Sequence, residues 1–177
     1  MFFIAIVPPK ITADAVTEIK NDFANRFESK RALRVMPHIT LKAPFKIFEG
    51  KRSGLLQWFS KLKIDRPPFE LSLNGFGAFN KHSPVIFIRP VQSENLTALQ
   101  SRLIEKLSNR LPKDIQSTDK DFHPHMTIAY RDLTRENFDK AWSEYEHLDF
   151  SASFAVDAFH LLEHDGTKWN IVATQKL

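Results

Sequence analysis

Residues 35–45 read VMPHITLKAPF and residues 122–132 read FHPHMTIAYRD. The phrase Pro-His-(Ile/Met)-Thr-(Leu/Ile) therefore occurs twice, with His38 and Thr40 in one copy and His125 and Thr127 in the other, 87 residues on. In an extended strand, side chains two apart share a face. His38 and Thr40 then project together, as do His125 and Thr127. Ile39, Leu41, Met126 and Ile128 point the other way, toward a core. Pro37 holds Met36 out of the helical region, which supports an extended reading of 34–42. Each copy predicts a strand with one buried face and a His–Thr pair on the other.

The flanks of the two copies rhyme. A buried strand at 2–7 is followed by a helix, for which Thr12 is the expected N-cap, with Ile11 and Val16 as a hydrophobic staple. Ala13, Val16, Ile19, Phe23 and Phe27 form its apolar stripe. After the first phrase a helix is expected at 54–63, with Leu55, Trp58, Phe59 and Leu62 on one face. FELSLNGFGAF (69–79) alternates and then turns irregular at Gly75 and Gly77, where a bulge or a close approach is expected. SPVIFIRP (83–90) predicts a buried strand. Ser93 caps a helix with Leu96, Leu99, Leu103 and Leu107 inward, and 113–121 reads as loop. Past the second phrase, whose strand is placed at 122–130, Thr134 caps a helix with Phe138, Ala141, Trp142 and Tyr145 inward. Strands follow near 150–157, 158–163 and 168–174, the last two joined by Asp165-Gly166, a hairpin signal.

Both halves thus run helix, phrase, helix, Phe-led strand, which implies an internal duplication too long and too few in copy number for a solenoid. The expected fold class is α+β. Two pseudo-symmetric lobes, each an antiparallel sheet with flanking helices, face each other across a central cleft, within one bilobal domain spanning 1–177.

The chain has 177 residues, no cysteine, and a formal net charge of +4. Disulfides, a thiol nucleophile and thiolate metal sites are excluded, and a reducing, cytoplasmic setting fits. MFFIAIVPPK has no preceding basic residue and no small-residue cleavage site, so it reads as a buried strand and not a signal peptide. No run approaches the roughly 20 apolar residues of a membrane helix. Residues 26–66 carry eleven Lys/Arg against three acids, a net of +8, and enclose the first phrase. A field of that sign favours an anionic ligand such as a phosphate; a merely solvated basic face is the plainer alternative.

Histidine exchanges a proton near neutral pH. One His can act as general base and a second as general acid in displacement at phosphorus, while two Thr hydroxyls donate to the non-bridging oxygens. No metal, cofactor or covalent intermediate is needed, and a cyclic phosphodiester is a natural substrate. A single Pro-His-x-Thr is ordinarily structural, a half-buried His beside a β-forming Thr; two copies in matching places reverse that weighting. Zinc is the other rival. His123 is available as a third ligand two residues from His125, with Asp121 the nearest carboxylate.

PHITLK and PHMTIAYR resemble the paired H-x-T-x signatures of the two-histidine phosphoesterase superfamily, in particular the bacterial 2′-5′ RNA ligases, or RNA 2′,3′-cyclic phosphodiesterases. The resemblance covers nearly the whole chain. It implies two pseudo-symmetric α+β lobes, His38 and His125 as the catalytic pair, and Thr40 and Thr127 as phosphate binders. Many members carry an Arg five residues past the second His. Here Tyr130 stands there and Arg131 follows, and in a strand one step moves a side chain to the other face.

Further substrate contacts are sought at Lys42, which alternation keeps on the cleft face, and at Arg34, Arg131, Phe45, Phe122 and His123. Phe45, Phe79 and Phe122 could stack on a base, though with sixteen Phe in the chain core packing is the plainer reading of all three. Tyr130 has the parity of a packing residue. His82, His147, His160 and His164 have no repeated partner and read as structural or solvated. The expected function is a metal-independent phosphoesterase that hydrolyses, or reversibly ligates, a 2′,3′-cyclic phosphate of RNA or a nucleotide, acting as a monomer. The alternative is a non-catalytic RNA- or nucleotide-binding module with a relic site.

Overall fold

The computed structural model describes residues 1–80 and 83–177; His82 lies outside them. In chain order the elements are β1 (Phe2–Ile6), α1 (Lys10–Arg26), β2 (Ile39–Phe45), α2 (Arg52–Ser60), β3 (Phe69–Phe79), β4 (Val85–Pro90), α3 (Glu94–Arg110), α4 (Ser117–Lys120), β5 (Met126–Ala129), α5 (Arg135–Tyr145), β6 (Ser151–Val156), β7 (Ala158–His164) and β8 (Trp169–Lys176), with short 3-10 turns at Arg31–Arg34, Glu49–Lys51 and Pro112–Asp114.

Two four-stranded sheets result, ordered β2-β1-β7-β8 and β5-β4-β3-β6, with every pairing antiparallel. Each phrase strand, β2 or β5, is the edge of its sheet, beside a buried apolar strand, β1 or β4. The α+β, two-lobed expectation holds, but the lobes are not consecutive halves of the chain. The two Phe-led strands, β3 and β6, lie in one sheet, with Phe69 opposite Val156, while β7 and β8 return to the other. Helix α1 packs against β5 and helix α3 against β2, so each phrase strand is braced by the helix that precedes the other phrase. One apolar cluster, from Ile4 and Phe23 to Leu103, Ile128 and Phe159, draws on both sheets.

Helix starts follow local chemistry. Ser93 accepts from the Leu96 N–H and Thr134 from the Asn137 N–H, as expected. At α1 the expectation fails. The helix begins at Lys10 behind Pro9, whose carbonyl accepts from the Ala13 N–H; Thr12 is buried inside the first turn, and Ile11 is 85% exposed, so no staple forms. Pro9, extended at φ −62° and ψ 160°, sets the entry instead. Residues 113–121, expected as loop, contain α4, closed by a reciprocal pair of bonds between Gln116 and Asp119.

The anticipated irregularity in β3 is present. Gly75 sits at φ +63° in a bulge between Leu73 and Phe76, and at Gly77 a Cβ would stand 2.5 Å from the Phe87 ring. Asp165 closes the β7–β8 hairpin by accepting from the N–H groups of Thr167 and Lys168. Among the described residues no helix is long and apolar enough to cross a membrane.

Candidate active site

His38 and His125 occupy the same local position. Each is the residue before a phrase strand, each follows a proline, and in each Nδ1 bonds the carbonyl two residues back: Met36 O at 2.8 Å and His123 O at 2.7 Å. A carbonyl can only accept, so the proton sits on Nδ1 and leaves Nε2, on the other edge of the ring, for a ligand. Beyond each His the alternation holds. Ile39, Leu41, Met126 and Ile128 are buried, while Thr40 and Thr127 stay partly open.

The two pairs meet in one cleft of about 570 Å³, in which His38, Thr40, His125 and Thr127 all line the wall. Phe3 packs on His38 with ring centroids 4.8 Å apart; Phe79 and Phe87 pack on His125 at 5.2 and 5.6 Å. Burial holds both imidazoles below the usual histidine pKa. His38 is pushed down to about 4, with the nearby Lys20 ammonium adding to the effect, and its bond to Met36 opposes the shift. His125 is lowered too, chiefly by burial, and its bond to the His123 carbonyl opposes the shift.

Three guanidinium-bearing residues, Arg31, Arg34 and Arg131, line the same cleft, and among the described residues no carboxylate does. Arg34 and Arg131 are among the residues the sequence points to; Arg31 carries no signal there beyond its place in the basic stretch. Tyr130, expected to pack, also lines the cleft. The parity rule fails because β5 ends at Ala129 and Arg131 takes a left-handed backbone, φ 61°, so consecutive residues reach the same space. Arg131 lies over the Tyr130 ring, 5.2 Å from its centroid. Aromatic side chains also line the cleft. Trp169 sits edge-on to Phe3 at 4.5 Å and against His164 at 5.0 Å, with Thr167 of the hairpin turn beside them. The Asp165-Gly166 turn was legible in the sequence, but its arrival at the cleft was not.

Lys42 does not face the cleft. Ala5 pairs with Thr40 and Ile4 with Lys42, so Leu41 is an extra residue in β2 and the alternation breaks there. Lys42 turns inward, 1% exposed, and its ammonium lies 3.0 Å from the equally buried Asp119 carboxylate. Phe45 is buried against Phe2, and Phe122 packs on the core, so neither is a cleft residue. His123 is exposed beside Asp121 and lines a neighbouring hollow, away from the cleft. The zinc constellation through His123 therefore does not assemble, and among the described residues no three His or carboxylate side chains gather where they could hold a metal ion. His147 and His160 line neither hollow, whereas His164 does line the cleft.

Residues 7–168 match the 2′-5′ RNA ligase superfamily. The chain belongs to that superfamily. It is 28% identical over 172 residues to a provisionally named phosphoesterase of Geobacillus kaustophilus, covering 97% of this chain and 92% of that protein. A similarly named protein of Bacillus licheniformis is 26% identical, with 89% of each chain covered. In fold, the chain resembles the Thermus thermophilus protein TT0787 (TM-score 0.71, 20% identity) and Escherichia coli LigT, solved with 3′-AMP (TM-score 0.64, 22% identity). In both cases 99% of this chain and 97% of the other are covered. Superfamily membership and the two-sheet architecture agree with the resemblance carried by the paired phrases.

Proposed function

We propose that this protein is a metal-independent phosphoesterase that opens 2′,3′-cyclic phosphates of RNA or nucleotides. The observation that carries the reading is the matched pair of His–Thr units, each with Nδ1 committed to a carbonyl, in one arginine-lined cleft with no carboxylate among its described residues. LigT has been solved with 3′-AMP and with phosphate, and a cleft of this charge suits such ligands here.

In the reaction one imidazole Nε2 takes a proton from the attacking water. The other, entering as imidazolium, returns a proton to the departing ribose oxygen. Thr40 and Thr127 donate to the non-bridging oxygens, where charge develops in the transition state. Run backward with a 5′-hydroxyl in place of water, the same groups would join two RNA ends. Both His–Thr pairs come from one chain, so a monomer suffices, and a cysteine-free enzyme suits a reducing cytoplasm.

The test is turnover of a 2′,3′-cyclic nucleotide in the presence of EDTA. Activity is expected to persist, and His38→Ala and His125→Ala are each expected to lower kcat by at least about 10²-fold while circular dichroism stays native. Thr40→Ala and Thr127→Ala should be milder. A folded His38→Ala or His125→Ala variant with near-native kcat would sink the two-histidine mechanism. Nucleotide binding without turnover would favour a binding module, and loss on chelation restored by zinc would favour a metal site.

A further inference from the structure

Beside the cleft a second hollow, of about 390 Å³, opens on the β3–β4 face, lined among others by Asn74, Phe79, Phe87, Arg89, Gln92 and His123. It shares a wall with the reaction centre. The Phe79 and Phe87 rings, 4.6 Å apart, both pack on His125, so a single layer of rings separates the two spaces. That layer lies where it does because of Gly77, over whose missing Cβ the Phe87 ring settles.

The chemistry of the hollow is specific in kind. Phe79 is 38% exposed, an aromatic surface the core does not cover. Around it stand two amide side chains, Asn74 and Gln92, able to meet the edge of a base, and two groups able to meet a phosphate, Arg89 and His123. Arg89 donates to the Phe76 carbonyl and has further N–H groups to offer. No carboxylate lines the hollow among the described residues. An aromatic platform bordered by a guanidinium, an imidazole and two amides, with no carboxylate in its lining among the described residues, is suited to single-stranded nucleic acid. Of the apolar lining only Phe79 and Val91 are well exposed, a smaller patch than a protein partner would want.

Resting on the phosphoesterase reading, we infer that this hollow receives the second nucleotide of an RNA strand whose cyclic-phosphate end lies in the cleft, with its base against Phe79. An RNA 3′ end is then preferred over a free cyclic mononucleotide, which lacks the residue that fills the hollow.

The experiment compares kcat/KM for a 2′,3′-cyclic mononucleotide with that for a trinucleotide ending in a 2′,3′-cyclic phosphate. One stacked base predicts an advantage of about tenfold or more for the trinucleotide, carried by KM. Val91 lines the hollow, is 45% exposed, and offers only an alkyl side chain. Val91→Asp places a negative charge there and is expected to erase the advantage while leaving mononucleotide turnover as it was; Val91→Lys is expected to keep or increase it. Equal kcat/KM on the two substrates, the result for a hollow that serves a protein or nothing, overturns the inference while the phosphoesterase stands. So does a Val91→Asp variant that slows both substrates alike. No turnover of either substrate would overturn the phosphoesterase reading and this inference with it.

Discussion

His38 sits half-buried against Phe3, with Nδ1 occupied by Met36 and the Lys20 ammonium near enough to disfavour its charged form. Lys20 is itself buried, donating to the carbonyls of Ala32 and Val35, and desolvation lowers its pKa to about 8. A histidine held near pKa 4 is neutral across the physiological range in the free protein. In a two-histidine mechanism kcat/KM reports the free enzyme and peaks between the two pKa values. One is about 4 and the other lies below 6.5, so the optimum of kcat/KM is expected on the acid side of pH 6.5. The optimum of kcat should lie higher, because bound phosphate stabilises both imidazolium forms. Profiles from about pH 4 to 9 check this, and a kcat/KM optimum above pH 7 would contradict it. Stability should fall over the same acid range. Between pH 6.5 and about 4 the unfolded chain takes up the His38 proton that the folded one refuses. Acidification through that window therefore removes folding free energy, on the order of 3 kcal/mol for this group.

At the level of the element, the bulge at Leu41 decides what β2 presents. The extra residue sends Lys42 into the core, where Asp119 of α4 meets it. Asp119 also accepts from the N–H groups of Ala43 and Gln116, which ties α4 to the strand. Lys42→Met leaves that carboxylate buried and unpaired, and is expected to cost about 3–5 kcal/mol in denaturant unfolding. Lys42→Met with Asp119→Asn, which keeps an acceptor for Ala43, should recover most of the loss. Under conditions where Lys42→Met is folded, its KM should be near wild type, since the side chain does not reach the cleft.

Strand β3 has its own decisive position. Gly77→Ala drives a methyl group into the Phe87 ring, and the ring bears on His125. A loss of about 1–3 kcal/mol is expected from overpacking. A fall in kcat of about tenfold or more should accompany it as His125 shifts, measured by thermal melts and by steady-state kinetics.

Across the whole molecule, the interleaved lobes make the cleft a shared construction. Asp132, just past Tyr130 and Arg131, accepts from Ser29 Oγ and from the N–H groups of Lys30 and Arg31, more than a hundred residues away in sequence. That carboxylate fastens the turn bearing Arg31 and Arg34 to the segment bearing Arg131, so three cations converge on one space. Asp132→Ala should loosen the turn and raise KM for a cyclic nucleotide by about five- to tenfold, the scale of losing charge-assisted hydrogen bonds. The effect on kcat should be smaller, because neither histidine is attached to it. An equal loss in kcat would mean that Asp132 supports the reaction centre itself.

The repeated phrase determined a great deal on its own. Alternation around a Pro-His-x-Thr unit is local, so the buried partners Ile39, Leu41, Met126 and Ile128 and the outward His–Thr pairs could be read directly, as could the caps at Ser93 and Thr134 and the turn at Asp165-Gly166. Local pattern carries no information about an inserted residue in a strand pair, because a bulge is fixed by the partner strand. Lys42 was therefore placed on the wrong face. It carries none about backbone past a strand end either, and a left-handed Arg131 brought Tyr130 into a cleft that parity denied it. The tertiary structure alone decided that β3 and β6 share a sheet, that Trp169 and His164 line the same cleft as the arginines, and that Asp119 and Asp132 are structural carboxylates. Each of those facts is a contact between residues far apart in the chain, settled by the packing of two sheets around one core and not by any run of neighbouring residues.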